Sequence, residues 1–281
     1  NAKSKSASGL FHELWRDKLS LFGLCILLVL LICAIFAEVL APFDPGEQSL
    51  RARLLPPAWL EGGQLEHFLG TDHLGRDVLS RIIYGSRVSL FVGTSGVLIA
   101  GTFGVMMGLF AGYKGGRVDN IIMRLVDTQV AFPSFLLALL ILTVIAPSAT
   151  SVIVVLSITG WMVYARVTRG IVQSIRQTPY IEAAEIVGCR PGRVIFKHIL
   201  PNLTSPLLTL AILEFARVVL AEASLSFLGL GIQPPLTSWG LDVAGGKDYI
   251  FNAWWLITFP GIAIALTVLG INLVAGWIRV T

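Results

Sequence analysis

The stretch TQVAFPSFLLALLILTVIAPSATSVIVVLSITGWMVYA, residues 128–165, is 38 residues long and contains no charged residue. As one α-helix it would be about 57 Å long, whereas the hydrocarbon core of a bilayer is about 30 Å thick. The stretch must therefore fold back on itself, and the segment Ala146-Pro147-Ser148-Ala149-Thr150-Ser151 has the composition of a break between helices. We predict a helical hairpin in a membrane, with spans near 125–146 and 151–170.

Four further apolar runs predict spans near 21–41, 88–112, 203–230 and 252–277. The chain has 281 residues, of which 55% are hydrophobic and 14% charged, and its mean hydropathy is +0.78. Water-soluble domains carry roughly a quarter charged residues, and disordered chains are polar or highly charged, so both classes are excluded. The first run is longer than the roughly 7 to 15 residues of a signal-peptide core. The sequence therefore predicts an all-α, polytopic membrane protein with six transmembrane helices.

Basic residues predict the orientation of these spans. Of the 21 Lys and Arg residues, 14 fall on the side of the N-terminal tail (1–20), 6 fall on the opposite side, mostly in the long loop 42–87, and Arg217 lies inside the fifth span. Because cytoplasmic loops are enriched in Lys and Arg, we expect both termini and the loop 171–202 to be cytoplasmic and the loop 42–87 to be exterior. The net charge of +4 comes without a dense basic run, so we expect no nucleic-acid partner.

Small residues recur on the second span, where Gly104, Gly108 and Gly112 are spaced four apart. This spacing predicts close helix packing, either within the chain or against a partner. We find no convincing internal repeat, which disfavours a secondary transporter built from two similar halves. The three cysteines do not pair into a framework, so we expect small core residues and a free thiol; they are Cys25, Cys33 and Cys189.

The exterior loop ends in GTDHLGRDVLSRIIY, residues 70–84, whose apolar residues fall on one helical face. The spacing predicts an amphipathic helix at the outer interface with two i,i+4 ion pairs, Asp72 with Arg76 and Asp77 with Arg81. A metal site formed by Asp72, His73 and Asp77 is the alternative. Its geometry is poor, because adjacent residues on a helix point about 100° apart.

The loop 171–202 predicts two short helices, one ending at Gly188 and the next starting at Pro191, since Gly favours a helix C-terminus and Pro the first helical turn. A compact helical pair with exposed alanines would allow another surface to approach closely. The loop is therefore either a docking element or an ordinary charged connector.

The residues of this loop resemble a known family. Glu182-Ala183-Ala184, Gly188 and Leu200-Pro201 match the EAA loop of permease subunits in ATP-binding-cassette (ABC) importers. His198 replaces the usual Ile, as in the peptide and nickel branch, and the likeness is strongest to the C-type permease subunits of dipeptide and oligopeptide importers. Motifs elsewhere resemble the same branch: Leu69-Gly70-Thr71-Asp72, Gly75-Arg76-Asp77-Val78-Leu79-Ser80-Arg81, Gly112-Tyr113, Val118-Asp119, Leu225-Ser226-Phe227-Leu228-Gly229-Leu230-Gly231, Pro234-Pro235, Trp239-Gly240, Ala253-Trp254-Trp255 and Phe259-Pro260-Gly261.

The resemblance implies the transmembrane domain of a type I ABC importer in the bacterial inner membrane, surrounded by membrane lipid, with a peptide as substrate. It further implies a heterodimer with a second homologous permease, two cytosolic ABC ATPases and an external substrate-binding protein. The chain has no G-x-x-x-x-G-K-[ST] loop, so we expect it to be no enzyme and to bind no cofactor, with ATP and Mg²⁺ held by the ATPases. The implied ATPase-coupling residues are Glu182, Ala183, Ala184, Gly188, Arg190 and Arg193.

Three ionisable residues lie inside the fifth span: Glu214, Arg217 and Glu222. Such groups are costly at membrane depth unless they are paired or wetted, so we expect them to face the bundle interior. Glu214 and Arg217 are spaced i,i+3 and can pair, and Glu222 can instead bond to a neighbouring helix. Whether the three line a substrate pathway or are structural stays open. Nickel chelates or glutathione are alternative substrates, and a secondary transporter or a membrane-embedded hydrolase are the competing classes.

Overall fold

The computed structural model describes residues 17–280, so the first sixteen residues of the predicted tail lie outside the described residues. Within 17–280 the chain is helical, with one isolated bridge between Thr71 and Asp77 and no strand. Short 3-10 turns occupy Leu50–Ala52 and Lys247–Tyr249, and a π turn occupies Ile195–Ile199. The α-helices are α1 (Lys18–Ile35), α2 (Ala37–Leu40), α3 (Val78–Lys114), α4 (Gly116–Val130), α5 (Ser134–Val144), α6 (Ala149–Arg176), α7 (Pro179–Ile186), α8 (Pro191–Val194), α9 (Leu200–Phe227), α10 (Trp239–Gly246) and α11 (Trp255–Val280).

Among residues 17–280, five helical stretches are long and apolar enough to cross a membrane: α1, α3, α6, the run from α8 through α9, and α11. The pair formed by α4 and α5 makes a sixth if it is counted as one span, and its two helices are bent by 84°. The predicted all-α, polytopic architecture is confirmed, with six spans on this count.

The third span differs from the single helix expected near 125–146. Charged residues recur along α4, from Arg117 to Asp127, so this helix alone is too polar to form a span. Pro133 separates the two helices, and a proline disfavours the helical conformation in the residue before it. α5 has only 11 residues, about 17 Å of helix. The bend therefore follows from the helix break at Pro133.

The break between the two halves of the hairpin lies where the sequence predicts it. α5 ends at Val144 and α6 begins at Ala149. The Ser148 hydroxyl caps α6 by accepting a hydrogen bond from the Ser151 N–H at 3.0 Å.

The amphipathic helix predicted within residues 70–84 is wrong in its first part, because α3 begins only at Val78. Gly75 has a φ of +75°, and a Cβ at this position would lie 1.8 Å from the Ser49 carbonyl oxygen, so the chain turns tightly here instead of coiling. The Asp77 carboxylate accepts from the Ser80 N–H at 2.8 Å and caps α3. From Val78 onward the helix is continuous with the second span.

The most extensive helix contact within residues 17–280 joins α3 to α6. A Cβ at Gly104 would lie 2.3 Å from the Trp161 carbonyl oxygen, and one at Gly108 would lie 2.5 Å from that of Ala165. The glycine row thus serves packing within the chain. α9 packs on the same pair in a core that includes Val92, Val155, Leu156, Val218 and Leu225.

Candidate functional site

The loop 171–202 folds as two short helices, as predicted. α7 ends at Ile186, and Gly188 follows with a φ of +84°, a conformation that glycine adopts without strain. The Cys189 N–H donates to the Ala184 carbonyl at 3.0 Å and closes this turn. α8 then starts at Pro191 and continues through the π turn into α9.

A small apolar core fixes the loop to the ends of α6 and α9. Ile181 of α7, Val194 of α8 and Ile199 of the π turn are fully buried against Val172 and Leu203. Each element of the loop contributes to this cluster. The loop should therefore move as one body with α6 and α9.

The expected coupling residues lie on the other face of the loop. Ala184 is half-buried, and the others, Glu182, Ala183, Gly188, Arg190 and Arg193, are exposed. Three large apolar side chains accompany them and were not predicted: Ile186 is 86% exposed, Val187 83% and Phe196 72%. The sequence signal for the first two was the apolar pair directly before Gly188. The exposed face therefore combines charged groups with unpartnered apolar surface, as in the centre and rim of a protein interface.

Charged contacts tie the end of α6 to the corner between α3 and α4. Arg169 makes a bidentate pair with Asp119 at 2.5 and 2.6 Å, and Gln173 donates to the same carboxylate at 3.3 Å. The Arg176 guanidinium donates to the Tyr113 carbonyl and lies 4.9 Å from the centre of the Tyr113 ring. These residues were not among the predicted site residues, and they extend the rigid body that carries the loop.

In the fifth span the structure joins Glu214 to Arg217, as the i,i+3 spacing predicts. Arg217 Nε lies 2.7 Å and its terminal nitrogen Nη2 2.6 Å from Glu214 Oε2. The Glu214 side chain is 11% exposed, whereas that of Arg217 is 36% exposed. The pair therefore has a buried acidic side and an open basic side.

Glu222 lies apart from this pair and is only 1% exposed. It accepts hydrogen bonds from the Ser226 hydroxyl at 2.8 Å and from the Ser89 hydroxyl of α3 at 3.4 Å. The geometry favours the alternative in which Glu222 bonds to a neighbouring helix.

At the opposite end of the bundle, the loop 42–77 is bonded to α10. The predicted pair of Asp72 and Arg76 is present at 2.7 Å. The predicted pair of Asp77 and Arg81 is not: Arg81 Nε donates instead to Asp242 of α10 at 2.7 Å, and Asp77 is used as the cap of α3. The side chains of Arg81 and Asp242 are 6% and 8% exposed, so this is a buried ion pair.

The alternative metal site at this end is not supported by the geometry. His67, rather than His73, approaches Asp77, with 3.0 Å from its Nδ1 to Oδ1. His73 stacks on Tyr249 instead, and burial lowers the pKa of its imidazole. Within residues 17–280 no three His, Cys, Asp or Glu side chains are grouped so that they could hold a metal ion.

Comparison with known proteins identifies the family. Residues 104–280 match the model described as the binding-protein-dependent transport system inner membrane component, and residues 9–57 match that of the N-terminal transmembrane domain of oligopeptide transport permease C. The chain belongs to this permease family. Its helical domain is that of a type I ABC importer.

Three relatives illustrate the likeness. The chain is 42% identical to the di/tripeptide transport system permease protein DppC of Pseudomonas aeruginosa over 271 residues, which cover 95% of this chain and 89% of that protein. It is 44% identical to the dipeptide transport system permease protein DppC of Escherichia coli, covering 96% and 90%, and 37% identical to that of Haemophilus influenzae, covering 95% and 92%.

Proposed function

We propose that this permease moves di- or oligopeptides across the bacterial inner membrane as one subunit of an ATP-driven importer. The main support for this proposal is that the chain is similar, over nearly its whole length, to permeases named for dipeptides and tripeptides. Nickel chelates and glutathione are the alternative cargoes. We place both termini and the EAA loop (171–202) on the cytoplasmic side, because basic residues are concentrated there.

The proposed assembly contains a second homologous permease, two ABC ATPases that hold ATP and Mg²⁺, and an external binding protein. The EAA loop is the proposed ATPase contact. Glu182, Arg190 and Arg193 would supply the polar rim, and Ile186 and Phe196 the apolar centre.

Coupling follows from how the loop is attached. Ile181, Val194 and Ile199 tie α7, α8 and the π turn to α6 and α9, and the Arg169–Asp119 pair ties α6 to α4. A displacement of the loop by an ATPase would therefore be passed to the spans as a rigid-body movement, which is the kind of two-state motion that opens one side of a transporter and closes the other.

Charge reversal in the loop tests this function. The complex is reconstituted in proteoliposomes with its ATPases inside and its binding protein outside, and uptake of a labelled dipeptide is measured with and without ATP. Glu182→Arg should lower ATP-dependent uptake about tenfold or more, because reversing a charge in a docked interface costs several kcal/mol. The control is Arg117→Glu, which reverses an exposed charge of α4 near the end of the bundle that carries this loop.

Normal uptake by the Glu182→Arg complex would refute docking through the loop. Uptake that continues without ATP and collapses with an ionophore would instead indicate a secondary transporter. Competition by a nickel chelate or glutathione, but by no peptide, would refute the peptide substrate.

A further inference from the structure

A cavity of about 230 Å³ lies between α5, α6 and α9, with Arg217 in its wall. One water molecule needs only about 15 Å³ of such space, so the cavity has room for part of a solute. Most of its wall is apolar. The polar part consists of the guanidinium and three hydroxyl groups, those of Ser134, Thr159 and Ser224.

The Arg217 guanidinium is bonded to Glu214 on one edge, and its other edge is open to the cavity. Glu214 takes both Nε and Nη2 on a single oxygen, Oε2. Within residues 17–280 no acceptor is bonded to Nη1, which leaves an N–H edge for a ligand. Gly160 of α6 makes room beside it, since a Cβ there would lie 3.2 Å from Nη2. Glu214 therefore holds the guanidinium, and Gly160 leaves the space that it occupies.

The chemistry of this edge suits a carboxylate. A guanidinium presents parallel N–H groups that match two carboxylate oxygens, and such charged hydrogen bonds are stronger than neutral ones. The Thr159 hydroxyl donates to the Val155 carbonyl and the Ser224 hydroxyl to that of Leu220. Their free lone pairs can therefore accept from an N–H group of the same ligand.

Resting on the proposed function, we propose that this cavity is a transit site for the terminal carboxylate of the substrate peptide. Arg217 is the contact, and Glu214 is the positioning residue that holds the guanidinium. The apolar wall, which includes Phe135, Leu156 and Leu220, lies beside the peptide's last side chain. An oxyanion of a lipid headgroup has the same chemistry, and the experiment separates the two sources.

The test compares alanyl-phenylalanine with its C-terminal amide in proteoliposomes that hold the whole complex and saturating binding protein. The readout is the ratio of the maximal uptake rates of acid and amide. The binding protein is the same in every sample, so a change in the ratio comes from the permease. Arg217→Gln should lower this ratio about tenfold, as expected for one lost charged hydrogen bond.

Three further variants separate the loss of the Arg217 contact from a general loss of structure. Gly160→Ala pushes on the guanidinium without removing charge and should lower the ratio two- to threefold, which preserves the test if Arg217→Gln does not assemble. Glu214→Gln removes the charge that holds the guanidinium and should lower the ratio by a similar factor. Arg166→Gln is the matched control, since Arg166 is an exposed Arg of α6 paired with Asp127, and it should leave the ratio unchanged.

An unchanged ratio in both Arg217→Gln and Gly160→Ala would overturn the proposal. Equal losses for acid and amide would also overturn it, because a lipid contact or a structural role affects both peptides alike. If the wild-type complex takes up no peptide with ATP, the proposed function itself fails, which is a separate result.

Discussion

The crossing of α3 and α6 allows a prediction of stability at Gly108. A Cβ at this position would lie 2.5 Å from the Ala165 carbonyl oxygen and 2.6 Å from Thr168 Cβ, whereas ordinary contact begins near 3.4 Å. Neither atom can rotate away, so the two helices must separate by most of 1 Å. A gap of about 0.5–1 Å forfeits a quarter to a half of the dispersion energy along the crossing.

We therefore expect Gly108→Ala to lower the free energy of unfolding by about 1–3 kcal/mol, the usual cost of overpacking, and Gly108→Val to lower it further. The matched control is Gly170→Ala on α6, where nothing lies within 4 Å of the added Cβ. This control should be neutral or up to about 1 kcal/mol more stable, because alanine favours the helix over glycine.

The measurement is unfolding of the purified protein by titration with SDS in mixed micelles, followed by circular dichroism. Equal stabilities for the Gly108→Ala and Gly170→Ala variants would refute the argument that close backbone contact holds this crossing together.

Two further predictions use the same unfolding assay. Arg81→Ala leaves the buried Asp242 without its cationic partner and should cost about 3–5 kcal/mol, while adding Asp242→Asn should recover part of that loss. Purely additive costs in the double-mutant cycle would contradict a coupled pair. Ser148→Ala removes the hydroxyl that accepts from the Ser151 N–H and should lower the free energy of unfolding by about 1 kcal/mol. The control, Ser205→Ala at an exposed position, should change it by no more than about 0.5 kcal/mol. Equal effects of the two variants would show that the cap contributes nothing.

Charge-free length predicted most of the spans, because bilayer thickness limits a helix from outside the protein. The length rule failed at the third span, because it assumes that a span is one continuous apolar helix. α4 carries charged residues and α5 has only 11 residues, so neither segment meets the length rule alone. The 84° angle between them depends on the local geometry at Pro133, which a count of apolar residues does not include.

The loop before α3 shows a different limit. The apolar and ionic spacing of residues 70–84 fits a helix, and the pair of Asp72 and Arg76 forms without one. Gly75 decides against the helix because it lies against the Ser49 carbonyl, a contact between residues far apart in the sequence. Likewise, the partner of Arg81 is Asp242, 161 positions away, rather than its helical neighbour Asp77. Local patterns identified the pair of Asp72 and Arg76, but not the distant partner of Arg81.

The two acidic residues of α9 show that burial and bonding partners also decide which residues of the candidate pathway can contact a solute. Glu222 is buried and accepts hydrogen bonds from Ser226 on its own helix and from Ser89, which is 133 positions away. Its carboxylate is therefore not accessible to a solute. Glu214 is occupied by Arg217, whose open edge is the charged group that this chain presents to the cavity. A zwitterionic peptide also carries an ammonium group, for which the side chains of the cavity wall, as far as residues 17–280 form it, offer neutral hydroxyl acceptors and no carboxylate. The proposed carboxylate site therefore accounts for one end of the peptide, and on the heterodimer model an anionic partner for the other end would have to come from the second permease.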